Sequence, residues 1–142
     1  MIGFYFSPSN ISMLEGPGLG LELVTDVGFD NAGLWTAGTG WTVAGGKATK
    51  VAGTGSFLSL TGSVVVPGIF YQVVVVVDSR SAGAVLPNIG NVDGSPGITA
   101  AGTYTYLIQA TSTISTGAAG INIFGNAAFA GVFDSISVKR LS

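Results

Sequence analysis

The chain has 142 residues, a length that fits a single domain, and only 8% of them are charged, for a formal net charge of -2. A typical soluble domain carries about 25% charged residues, so much of this surface must be uncharged or covered. The sequence contains no histidine and no cysteine, which excludes disulfides and thiol chemistry and removes the commonest general base and metal ligand. Because lysine and arginine number only 5, nucleic-acid binding is not expected.

Residues 1–20 predict an extended N-terminal arm ahead of the folded domain. This segment has two prolines and little periodicity, and it ends in the turn-forming sequence EGPGLG. Its apolar side chains are too many for a segment free in water, and they include Phe4, Tyr5, Phe6, Ile11 and Leu14. Two interpretations remain open: the arm lies on its own domain, or it docks on a neighbouring subunit.

The arm has neither the basic start nor the long apolar run of a secretory signal. The most apolar stretch of the chain, VVVPGIFYQVVVVV, is interrupted by Pro67-Gly68 and is shorter than the ~20 residues that a membrane-spanning helix needs. The sequence therefore predicts no membrane association.

Residues 21–142 predict an all-β domain. Short strand-like runs alternate with turn residues, no window shows a helical period, and Gly45-Gly46 between two of the runs is typical of a hairpin. The expected strands are 21–25, 40–44, 47–52, 56–62, 69–79, a run within 83–90, 102–111, 120–125 and 131–141. Roughly eight to nine antiparallel strands at this spacing indicate a β-sandwich or jelly roll.

The longest strand pattern, FYQVVVVVDS (Phe70–Ser79), does not alternate between apolar and polar residues. One of its faces fits a core, but the other carries Val74 and Val76 in its middle. A strand that is apolar on both faces is usually covered on both. The covering element is the arm or a second copy of the chain, unless two exposed valines are simply tolerated. The sequence thus predicts that this outer sheet is an interface.

Several segments resemble motifs of carbohydrate-binding-module-like jelly rolls. ELVTDVGFD (Glu22–Asp30) and GWTVAGGKAT (Gly40–Thr49) are similar to the opening of these domains. ITAAGTYTYLIQAT (Ile98–Thr111) is similar to a middle strand, and GVFDSISVKRL (Gly131–Leu141) to the closing strand. Within this broad family, the low charge and the Gly, Ala, Thr and Val content look most like the small domains of bacteriophage virion proteins.

The resemblance implies a non-enzymatic structural virion protein. On that basis we expect a capsid decoration or cement protein on the exterior of a phage shell, which contacts the major capsid protein and, by analogy, forms a homotrimer. Its arm and outer sheet would make the subunit contacts. A tail or fibre accessory protein is the variant of this expectation, and a sandwich without partners is disfavoured because its uncharged surface would stay exposed.

The same resemblance implies a structural calcium ion between the opening and closing motifs. The matching positions are Asp26, Asp30 and Asp134. Asp134 shares strand parity with Ile136 and Val138, so without a bulge its carboxylate points inward and needs a partner. The alternative is that backbone N–H groups of the Asp26–Asp30 turn satisfy it without a metal.

A glycan-binding module is the alternative function. Aromatic faces next to amide and carboxylate groups suit sugars, and the candidates are Trp35, Tyr104, Asn91 and Asp93. Trp35 lies in a small-residue loop and fits either a binding platform or a packing plug, whereas Trp41 opens a strand and is expected in the core. Catalysis is not expected, because the few acids have no base partner and no pattern places two of them together.

Overall fold

The computed structural model describes residues 18–62, 65–111 and 120–141. These residues form an all-β sandwich of two antiparallel sheets, as the sequence predicted. The strands are β1 (Leu19–Glu22), β2 (Trp35–Ala37), β3 (Trp41–Ala44), β4 (Lys47–Lys50), β5 (Ser56–Leu60), β6 (Phe70–Ala82), β7 (Val85–Ile89), β8 (Val92–Asp93), β9 (Gly102–Gln109), β10 (Ile121–Gly125) and β11 (Ala130–Leu141). A 3-10 helix, Ala32–Leu34, precedes β2. The strands that the sequence did not predict, β2 and β8, have only 3 and 2 residues.

The larger sheet, here called sheet A, has 6 strands in the order β3-β4-β11-β6-β9, with β1 paired to β11. Strand β11 pairs with β6 along one edge, and along its other edge it pairs first with β4 and then with β1. Sheet B has 5 strands in the order β2-β5-β10-β7-β8. Strands β1 and β9 therefore lie on opposite sides of the β11–β6 pair.

The hairpin expected at Gly45-Gly46 is confirmed. These two glycines join β3 to β4 with φ angles of 61° and 76°. Positive φ at both central residues is the signature of the turn whose twist matches a β-hairpin, and glycine adopts it without steric cost.

The core lies between the sheets and is built largely by β6. Its residues Tyr71, Val73, Val75 and Val77 are buried, and they alternate with the half-buried Val74 and Val76. Sheet B contributes buried residues of β5 and β10 to the core, which are Leu58, Leu60, Ile121 and Ile123. Trp41 is buried, as expected, and its indole N–H donates to the Ser56 carbonyl at 3.2 Å.

The inward orientation expected for Asp134 is wrong, because β11 contains a bulge at this point. Phe133 pairs with Val77 and Ser135 with the preceding Val76, so Asp134 is an extra residue in the ladder. An extra residue reverses the alternation of faces. Phe133 and Ile136 both point into the core, and Asp134 is exposed.

The expected boundary between arm and domain falls near the start of β1, which begins at Leu19. The apolar residues of the arm from Phe4 to Leu14 lie outside the described residues. Within the described part of the chain, no helix is long and apolar enough to span a membrane.

Candidate functional site

The outer face of sheet A is the surface that the valine run predicted. Backbone pairing places Val74 between Thr105 of β9 and Ser137 of β11. In the same way it places Val76 between Thr103 and Ser135. The centre of this face, three strands wide, is thus made of valine and small hydroxyl side chains. Two charged residues adjoin it: the Glu22 carboxylate accepts a hydrogen bond from the Ser137 hydroxyl, and Lys139 pairs with Gln72 on the same face.

Larger apolar side chains extend this surface toward one end of β6 and β9. Leu107 is 62% exposed and Phe70 is 43% exposed. Leu107 pairs with Gln72, two residues from Phe70 on the same face of the sheet, so the two apolar side chains are diagonal neighbours. We call the surface formed by Phe70, Val74, Val76 and Leu107 the outer apolar strip.

Three charged side chains, Lys47, Asp78 and Asp134, lie beyond the Val76 end of the outer apolar strip. The Lys47 ammonium lies 2.6 Å from Asp134 and 3.5 Å from Asp78. The hydrogen bond to Asp134 is the main reason that the pKa of Lys47 is raised. An uncharged centre with ionic groups at its margin is the usual composition of a protein–protein interface.

This ion pair also bears on the expected calcium site. Asp134 is neutralised by the chain's own Lys47, and both oxygens of Asp26 accept hydrogen bonds elsewhere. Asp26, Asp30 and Asp134 do not converge, and the described residues contain no group of three acidic side chains that could hold a metal ion. The residues present therefore do not fit the calcium that the resemblance implies.

Asp26 instead organises the turn after β1. Its oxygens accept from the backbone N–H groups of Asp30 and Asn31, at 2.8 and 2.9 Å, and from the Trp35 indole N–H at 2.9 Å. Burial by itself raises the pKa of this carboxyl, but the three hydrogen bonds outweigh burial and leave the pKa below its ordinary value.

Trp35 is a packing residue, so its assignment as an exposed sugar platform is wrong. Its side chain is 6% exposed, its ring packs on Phe29 with centroids 5.0 Å apart, and its N–H is held by Asp26. A buried ring with a satisfied N–H has no free face for a ligand. Trp35, the first residue of β2, therefore packs in the core.

A cleft of about 480 Å³ lies between the edge strands β8 and β9, lined by Val92–Gly97 and Tyr104–Gln109. Two of the expected glycan residues, Tyr104 and Asp93, line this cleft. The Tyr106 hydroxyl donates to the Pro96 carbonyl at 2.7 Å and ties the two walls together. Burial raises the pKa of Tyr106, so this hydroxyl stays protonated at neutral pH.

Asn91 lies beside the cleft but not in its wall. It occupies the turn from β7 to β8 with a φ of 70°. Asp93 accepts a hydrogen bond from the Asn88 side chain at 2.8 Å, and Asn88 in turn meets the Asn122 side chain at 3.3 Å. Both asparagines are buried although their strand positions face away from the core. The sequence alone does not identify this pair, because nothing in it pairs β7 with β10.

Lys50 is a second feature that the sequence did not predict. Its side chain is 1% exposed, and its ammonium donates to the carbonyls of Val51 at 3.2 Å and Asn126 at 3.1 Å. Burial lowers the pKa of this lysine. Its parity with Ala48 on β4 was the available signal, because Ala48 is a core position. The contacts tie the end of β4 to the connection between β10 and β11.

No protein-family model, curated protein or solved structure gives a significant match to this chain. Two described surfaces offer a basis for a function: the valine and hydroxyl centre of the outer face of sheet A, and the cleft between two edge strands.

Proposed function

We propose that this protein is a non-enzymatic structural subunit of a bacteriophage particle, a capsid decoration or cement protein that associates with itself through the outer apolar strip. The observation that carries the proposal is the uncharged centre of the outer face of sheet A around Val74 and Val76. A self-associating subunit is the role that uses this surface.

The chemistry of the strip supports burial against another protein. Leu107 and Phe70 are exposed by 62% and 43%, beside two half-buried valines flanked by serine and threonine. Removing apolar surface from water contributes about 25 cal/mol per Å², and hydroxyl side chains lose little when they are covered in hydrogen-bonding contact. Charges such as Lys47 stand at the margin, where they set orientation rather than affinity.

The placement on a phage shell is supported by two resemblances: the opening, middle and closing segments resemble those of carbohydrate-binding-module-like jelly rolls, and the low charge with the Gly, Ala, Thr and Val content looks most like the phage members of that family. In this proposal three copies meet on the exterior of the capsid, and each contacts the major capsid protein. A tail or fibre position would use the same surface with a different partner.

Conversion of Val74 and Val76 to threonine tests the strip. Threonine keeps the β-branched shape and strand propensity but adds a hydroxyl to each side chain. We expect Val74→Thr/Val76→Thr to weaken self-association at least tenfold, measured by sedimentation velocity over a dilution series. Val51→Thr is the matched control, because Val51 is 60% exposed and lies outside the strip. Unchanged association of the double variant, with an unchanged melting temperature, would contradict the proposal.

Location is tested separately by mixing the purified protein with phage capsids that lack decoration. A decoration protein saturates the shell at a fixed ratio to the major capsid protein. Absence of saturable binding would remove the capsid assignment and leave only the self-association.

Glycan binding is the second candidate, and the cleft favours it. Tyr104 and Asp93 line the same 480 Å³ space, and Asn88 holds the Asp93 carboxylate in place. An aromatic ring beside an oriented carboxylate offers a sugar both an apolar face and a hydrogen-bond acceptor. An array of phage-host and other bacterial polysaccharides tests it: binding that is lost in Tyr104→Ala supports the module, and an array without signal rejects it.

A further inference from the structure

The free edge of β9 is the strongest unexplained feature of the fold. Strand β9 pairs with β6 over eight consecutive positions, from Gly102↔Val77 to Gln109↔Phe70, without a register shift. Among the described residues, no strand pairs with its other edge. A straight, unbroken strand edge offers a row of backbone N–H and C=O groups to another extended segment.

The cleft gives access to this edge. Six consecutive residues, Tyr104–Gln109, line it, and consecutive residues of a strand point to opposite faces. The cleft therefore meets β9 along its backbone edge rather than on one of its faces. Its other wall is the segment Val92–Gly97, so the space between them suits one extended chain.

Strand β9 also lacks the features by which proteins protect a free edge. Its sequence, GTYTYLIQ, contains no charged residue and no proline, and its pairing shows no bulge. Soluble proteins usually place at least one of these on a long exposed edge to prevent pairing with other chains. An unprotected edge beside a cleft is consistent with an edge that is occupied in the working assembly.

We propose that the N-terminal segment Ile2–Ser7 of a second copy occupies this cleft and adds a strand to β9. The sequence IGFYFS is uncharged and alternates Ile2, Phe4 and Phe6 with Gly3, Tyr5 and Ser7, a period-2 pattern that suits a strand with one apolar face. Strand addition supplies affinity through backbone hydrogen bonds, and the apolar side chains enter the cleft beside Tyr106 and Pro96.

The donor is assigned to another copy because the protein is proposed to self-associate and because the arm is long enough to reach a neighbour. The arm joins the fold at β1, and β1 and β9 lie on opposite sides of the β11–β6 pair. Donor and acceptor on opposite edges give a head-to-tail contact, which closes into a ring when the rotation allows it. The 17 residues that precede Gly18 span at most roughly 60 Å. This exceeds the radius of gyration of about 14 Å for a domain of this size, so the arm can leave its own domain.

This inference rests on the proposed self-association and adds a second contact between subunits, from the arm of one copy to β9 of the next. The chain has no cysteine, so introduced thiols report without background. One chain carries Tyr5→Cys in the arm, and another, with a different tag, carries Thr105→Cys in β9. The two are mixed, allowed to exchange and treated with a short bismaleimide. Thr42→Cys on β3, exposed at the opposite edge of sheet A, replaces Thr105→Cys as the control.

We expect a covalent heterodimer of the Tyr5→Cys chain with the Thr105→Cys chain, and none with the Thr42→Cys control. A chain with both Tyr5→Cys and Thr105→Cys should then yield covalently linked rings.

Cross-linking only within single double-variant chains would overturn the inference, because the arm would then lie on the β9 edge of its own chain. Links only between two Thr105→Cys chains would also overturn it, because such links can form across the outer face, where Thr105 flanks Val74, without any contact with the arm. No link at all in a protein that still self-associates overturns the inference and leaves the proposed function standing, whereas no link in a monomer overturns both.

Discussion

At the scale of single residues, Asp26 has the opposite role to the one expected. Its place in the opening motif predicted a metal ligand, but its carboxylate accepts N–H donors from two backbone amides and from Trp35. The resemblance could indicate that the carboxylate at position 26 has a structural role. It could not show that the donors come from the residues that follow it, because that depends on how the turn folds back.

Replacing Asp26 with asparagine should destabilise the fold by about 1–3 kcal/mol at pH 7, because an amide removes the charge that its buried donors face. The folded-state pKa is lowered, so this stabilisation is present above the unfolded pKa of about 3.9 and is lost as the pH falls through the folded pKa. Urea unfolding at fixed protein concentration should therefore show the wild-type advantage shrinking below about pH 4. Asp30→Asn, at an exposed position, is the control. An equal loss in both variants would contradict this role.

The charge of Lys50 opposes folding, whereas that of Asp26 favours it, although for both groups stability rises with pH. Burial lowers its folded-state pKa, so between that pKa and the unfolded value of about 10.4 the unfolded chain binds more protons. Stability must rise with pH in that window. Relative to Lys50→Met, the wild type should gain up to about 1.4 kcal/mol per pH unit as the pH rises toward 10.

Lys47→Met is the control for that measurement, because the pKa of Lys47 is raised by its hydrogen bond to Asp134. The contribution of Lys47 is present below its unfolded pKa and is lost as the pH rises through the folded value. In the window below about pH 10 the difference between the wild type and Lys47→Met should therefore stay constant, while the difference for Lys50→Met changes with pH. If the stability difference from the wild type changed with pH in the same way for both variants, the lowered pKa of Lys50 would be contradicted.

At the scale of strands, alternation and turn residues predicted most of the sandwich. The run from Phe70, the hairpin at Gly45-Gly46 and the closing strand all appear where the pattern placed them. The bulge at Asp134 was beyond prediction, since an extra residue in a ladder is fixed by the partner strand. The shortest strands, β2 and β8, exist because longer neighbours pair with them.

The connection between β6 and β7 depends on close backbone packing at Gly83. A Cβ at this position would lie 2.2 Å from the Phe129 backbone nitrogen, and φ is +72°. Gly62 has a similar φ of +75°, but a Cβ there meets no described atom within 4 Å. Gly62→Ala should cost about 1–2 kcal/mol for its backbone conformation alone. Gly83→Ala should cost about 2–5 kcal/mol, because overlap is added. Urea unfolding of both variants measures the difference, and equal costs would refute the packing explanation.

At the scale of the whole molecule, the proposed function rests more on composition than on any motif. In a chain with 8% charged residues much of the surface is uncharged, and the centre of the outer face of sheet A is made of valine, serine and threonine. The same composition leaves β9 with an edge that carries no charge. The cleft between β8 and β9 was not predictable, because it forms where the edges of two sheets meet, and which strands lie at the edges depends on pairing across the whole fold.

The most direct test of the central claim is the mass of the unmodified protein in solution, measured by light scattering across a range of concentrations. If the outer apolar strip is buried between subunits, the particle contains three chains and dissociates only on strong dilution. A particle with the 14.2 kDa mass of one chain at every concentration would contradict the claim.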